Sequence, residues 1–100
     1  MADITKEQIE AWKQEHGTIF KTDTVAGTII YKPLSRGVYM DIMSDASEGK
    51  IGDPEIETVK RCIINDVNDM IFQERGGVAS VVYEEIMKKS GFEIIESEEL

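Results

Sequence analysis

The apolar rhythm of residues 55–72, EIETVKRCIINDVNDMIF, constrains the fold more than any other stretch of this chain. Ile56, Val59, Ile63, Val67 and Met70 recur at steps of three and four, which at about 100° per residue sets them on one helical face. Ile64 and Ile71 widen that face to roughly 140°, broader than a two-helix seam needs. The spacing therefore predicts one long central helix over 55–72, packed against several elements at once. Glu57, Arg61, Asn65, Asn68 and Asp69 fall on the opposite, solvated side. Lys60 falls inside the apolar arc, where only its methylenes can be covered.

The flanking segments supply partners for that face. Ile4-Thr5-Lys6-Glu7-Gln8-Ile9 is a complete helix start, with Thr5 as N-cap, Gln8 closing a capping box, and Ile4 and Ile9 as a hydrophobic staple. A helix over Lys6–His16 follows, with Ile9, Trp12 and His16 near one face, Trp12 as its anchor and Gly17 as its terminator. From Thr18 the pattern alternates, and IFKTDT and TIIYK on either side of Val25-Ala26-Gly27 predict a β-hairpin ended by Pro33. Ser35, preceded by Leu34 as a staple to Tyr39, opens a helix to about Ser47. Its inner side is Val38, Tyr39, Ile42, Met43 and Ala46. The polar segment 45–53 is a loop, and Pro54 suits the first turn of the central helix. Gly76-Gly77 is expected to break the chain before a last helix over Val78–Lys89, with Ala79, Val82, Tyr83 and Ile86 inward, Ser90-Gly91 closing it and Phe92 folding back. The fold class is α+β: one hairpin packed against about four helices, mostly helical. Residues 1–92 form one compact domain and 93–100 an acidic tail, in which Ile94 and Ile95 could add only a short edge contact.

Charge and composition narrow the function. Twenty acidic against eleven basic residues give a net charge of −9, which repels phosphate backbones and anionic membranes, so neither nucleic acid nor membrane is an expected direct partner. No apolar run approaches the ~20 residues of a membrane span, and MADITKEQIE lacks a basic region ahead of an apolar one. The chain is expected to be soluble and to stay where it is made. A lone cysteine fits a reducing compartment.

The residue types that carry chemistry are sparse. His16 is the only histidine, at a helix end that favours a cation. Cys62 borders the apolar arc, where a free cysteine behaves as a small buried hydrophobe. Asp41, Asp45, Glu48 and Asp53 lack the spacing of a calcium loop, and the glycines match neither a phosphate loop nor a dinucleotide fingerprint. No catalytic residue, cofactor or metal site is expected. Met40 and Phe72 fall off the apolar faces of their helices and Met87 at the margin of its own, so these three are the candidate partner-binding patch.

The succession IEAWKQEHGTIF, a hairpin, YKPLSRGVYMDIM, ETVKRCIIND and GGVASVVYEEIMKKSGF resembles the small tail assembly chaperones of tailed bacteriophages. Those proteins run from a Trp-containing helix through a strand pair and an R-P-L-[ST]-R-x-E-[YF]-like step to a Cys-bearing apolar helix and a final helix ending in S-G-F. Here IINDVND stands where members often carry a Pro-containing turn, and Gly37-Val38 where an acidic residue is usual. The resemblance implies a non-enzymatic protein of the bacterial cytoplasm that binds the tape-measure protein and helps tail-tube protein polymerise around it. A homo-oligomer stays open. The alternatives are a structural subunit of the virion head, neck or tail, and an acidic decoy that inhibits a nucleic-acid-binding host factor, although the acids here are spread over every segment.

Overall fold

The computed structural model describes residues 4–100; the start of the MADITKEQIE segment, residues 1–3, lies outside the described residues. Five helices and one antiparallel hairpin follow in the order α1 (Lys6–His16), β1 (Phe20–Thr24), β2 (Gly27–Tyr31), α2 (Arg36–Ser47), α3 (Pro54–Cys62), α4 (Met70–Glu74) and α5 (Gly76–Lys89). The α+β class and the hairpin stand as the sequence pattern predicts.

Local chemistry accounts for most boundaries. At α1 the Thr5 hydroxyl accepts from the Gln8 N–H while the Gln8 side chain accepts from the Thr5 N–H, closing the capping box. Gly17 ends the helix at φ 80°, a conformation costly for any residue with a Cβ. Ser35 and Asp53 cap α2 and α3 through side-chain oxygens, and Pro54 occupies the first turn of α3. The hairpin pairs Phe20 with Tyr31 through Thr24 with Gly27, leaving Val25-Ala26 as a two-residue turn.

The central helix over 55–72 is not continuous. α3 stops at Cys62, Ile63 is extended (φ −66°, ψ 136°), and a separate five-residue helix, α4, begins at Met70. Segment 62–65 instead completes the outer edge of β2. The Lys32 N–H donates to the Cys62 carbonyl (3.0 Å), the Ile64 N–H to the Ile30 carbonyl (2.8 Å), and Ile63 bridges Tyr31. The Asn65 side chain extends the ladder, accepting from the Ile30 N–H (2.8 Å) and donating to the Thr28 carbonyl (2.9 Å). Asn65 is therefore buried rather than on a solvated helix face. A two-stranded hairpin is marginal by itself; this third segment covers the one edge whose polar groups would otherwise lie buried without partners.

A second correction concerns Gly76-Gly77. The break lies one residue earlier, at Arg75 (φ −125°, ψ 77°), and both glycines sit inside the first turn of α5. That helix, not 55–72, is the rod of the fold: it packs against α3, α4 and β1, and it buries Val78, Ala79, Val82 and Ile86. Ile29, Tyr31, Leu34, Ile42, Val59, Cys62 and Phe72 complete the core around it. Ser80 of α5 donates to Glu55 of α3 (2.6 Å), tying the two helices outside the core.

The two ends of the chain stand apart from that core. Ile9, Trp12 and His16 are half-buried residues of α1, on the face their spacing predicts, yet α1 buries no residue fully and Trp12 does not join the core it was expected to anchor to. The radius of gyration, 14.8 Å, exceeds the ~13 Å of a compact chain of this length. At the other end Phe92 does fold back: its N–H donates to the Met87 carbonyl (2.9 Å) and its ring meets Tyr39 at 4.8 Å. Beyond it every residue is exposed, and Ile94 and Ile95 make no edge contact.

Candidate protein-interaction surface

Met40, Phe72 and Met87 do not form a patch. Phe72 is 4% exposed and belongs to the core, because ending α3 at Cys62 gives α4 its own rotation and turns that ring inward. Met87 is half-buried against the core. Met40 alone is open to solvent, on the outer side of α2.

Exposed apolar side chains occur instead around the hairpin tip. Val25 is 77% exposed and Val81, on α5, 52% exposed. Both line an open cleft of about 860 Å³, together with Thr24, Gly76, Gly77 and Val78. The Thr24 hydroxyl donates to the Gly27 carbonyl (2.9 Å) and accepts from the Ala26 N–H (3.0 Å), fixing the turn in which Val25 is exposed. A Cβ added at the lining residues Gly76 or Gly77 would meet nothing within 4 Å, so no close approach requires glycine at either position. Arg75 and Asp23 line the cleft as well, the latter accepting from the Thr28 hydroxyl (2.7 Å). The sequence carried one signal for this site, a β-branched apolar residue in a two-residue turn where Asn, Asp or Gly is usual.

Groups able to do chemistry are few among the described residues. Cys62 is buried, and burial pushes its thiol up to about 11, with Lys32 nearby acting in the opposite direction; a nucleophilic cysteine needs the reverse shift. His16 lies 3.7 Å from Glu15 at the end of α1. Burial also raises Tyr31 and Tyr83, with Glu85 and Glu55 respectively adding to the effect. Among the described residues no three His, Cys, Asp or Glu side chains converge as a metal site would require. No helix among them is long and apolar enough to cross a membrane.

The cleft is open and mostly apolar, with Asp23 and Arg75 as its charged lining residues. Comparison with family models, curated proteins and solved structures returns no match for this chain.

Proposed function

We propose that this protein is a non-enzymatic tail assembly chaperone of a tailed bacteriophage, acting in the cytoplasm of the bacterial host. It binds helical segments of the tape-measure protein through the Val25–Val81 cleft until tail-tube protein assembles around them. The observation that supports the binding role is that two exposed valines, from the hairpin turn and from α5, line one open and mostly apolar cleft. The identity of the partner comes from the resemblance of the ordered segments IEAWKQEHGTIF through GGVASVVYEEIMKKSGF to that family.

The physical requirements of such a role are consistent with the chain. A holder of an aggregation-prone partner must release it, and an interface confined to this one cleft, if it buries less than about 1,200 Å², falls in the range of weak and transient complexes. A net charge of −9 keeps the loaded complex from associating further.

Quantitative mass spectrometry of purified particles against the whole lysate tests the assignment. A chaperone is abundant in the lysate and scarce in finished particles. A fixed number of copies per particle would contradict it and mark a structural subunit of the head, neck or tail.

A further inference from the structure

A second cleft, of about 390 Å³, shares no lining residue with the first and is lined by Lys32, Pro33, Leu34, Val38, Arg61 and Cys62 among others. Its surroundings are unusual for so acidic a chain. Arg61 is held by Glu57 (2.9 Å) and approached by Asp45 (3.9 Å), but Lys32 and the adjacent Arg36 make no ion pair among the described residues. Arg36 instead stacks over the Tyr39 ring at 5.3 Å.

The root of the acidic tail lies beside this cleft. The Leu34 N–H donates to the Ser90 hydroxyl oxygen (2.8 Å), and Phe92 packs on the same Tyr39 ring that carries Arg36. Residues 93–100 then leave the surface as EIIESEEL, four glutamates around two isoleucines that are 78% and 100% exposed. Adjacent, exposed isoleucines between carboxylates complement a cleft lined by Pro33, Val38 and Lys32, with Arg36 next to the lining Ser35. The chain's own tail does not lie on that cleft.

We propose that the cleft receives residues 93–96 from a second copy of the chain, so that two molecules exchange tails across a two-fold axis. Because tail root and cleft share one side of the molecule, apposing two such sides places each tail against the other's cleft, a self-complementary arrangement that closes at the dimer. Ile94 and Ile95 lie only two and three residues past Phe92, a reach of about 10 Å, so no refolding of the domain is needed. The isoleucines cover the half-buried Pro33 and Val38, and Glu93 and Glu96 meet Lys32 and Arg36. The chaperone role is not required for this exchange, which uses neither Val25 nor Val81.

The test uses the full chain. Sedimentation is followed from low micromolar to several hundred micromolar concentration. An equal mixture of ¹⁴N- and ¹⁵N-labelled protein is then treated with a carbodiimide, which joins a lysine amine to a carboxylate in direct contact. The expected result is a concentration-dependent dimer with isotopically mixed links from Lys32 to Glu93 or Glu96. Ile95→Asp, at a fully exposed position, should leave the melting temperature of the dilute, monomeric protein unchanged and raise the dimer dissociation constant at least about tenfold. Lys32→Glu should weaken the dimer, and adding Glu96→Lys should restore it. A monomer at every concentration, links confined to one isotope (the tail folding onto its own cleft), or a dimer indifferent to Ile95→Asp would each overturn the proposal.

Discussion

Phe72 is the side chain through which α4 enters the core, and it shows how far one position can decide between surface and interior. Its ring is 4% exposed in a helix of five residues that buries nothing else. Phe72→Ser is therefore expected to destabilise the protein by about 3–5 kcal/mol, the range for emptying a buried aromatic site, as read from urea unfolding. A variant with an unchanged unfolding midpoint would place the ring back on the surface. Cys62 acts on stability through pH. Its folded-state pKa is raised from 9.0 to about 11 by burial, so the neutral thiol is the form the fold accepts. The unfolded chain then releases its proton at lower pH than the folded one. Stability contributed by the buried thiol is full below about pH 9 and is lost as pH rises toward 11. Tyr31 and Tyr83, also raised, add to the loss in the same direction at higher pH. The unfolding midpoint should hold steady between neutral pH and the onset of thiol ionisation, then decline, and Cys62→Ala should flatten the first part of that decline.

At the scale of elements, the least local feature of the fold is the segment joining α3 to α4. Its backbone closes the β2 edge through the Ile64 N–H, which donates to the Ile30 carbonyl. Ile64→Pro removes that donor and is expected to cost about 1–3 kcal/mol, with faster amide exchange at Lys32, whose N–H donates to the Cys62 carbonyl. Unaltered exchange in β2 would show that the hairpin does not depend on the third segment. This was also where the sequence misled. Ile63, Val67 and Ile71 fit a helical period and are indeed partly buried, but by three routes: an edge bridge, a loop and a separate helix. The β-branched Ile63-Ile64 pair and the run Asn65-Asp66-Val67-Asn68-Asp69 are breaking signals that the apolar period outweighed. Where information was local it was legible. The capping box of α1, the Ser35 cap and Pro54 follow from contacts within five or so residues, and the hairpin from pairs no more than eleven apart. The end of α3 depends on hydrogen bonds to a strand some thirty residues earlier, and the Val25–Val81 cleft on two elements far apart in the chain. No single-stretch pattern contains either.

For the molecule as a whole, the core and the surfaces separate cleanly. α5 carries the packing on its inner face and presents Val81 on its outer one, so a substitution at Val81 can change binding without emptying the core. The direct measurement is an affinity pull-down of tagged protein from its native infected or induced host cells, with mass spectrometry, run in parallel for the unaltered chain and for Val81→Asp. The unaltered chain is predicted to recover a very long helical protein and a tail-tube subunit. Val81→Asp, with its melting temperature nearly unchanged, should lose most of that recovery. Recovery of a nuclease or polymerase in their place, or equal recovery of the helical protein by both chains, would contradict a chaperone that works through the Val25–Val81 cleft.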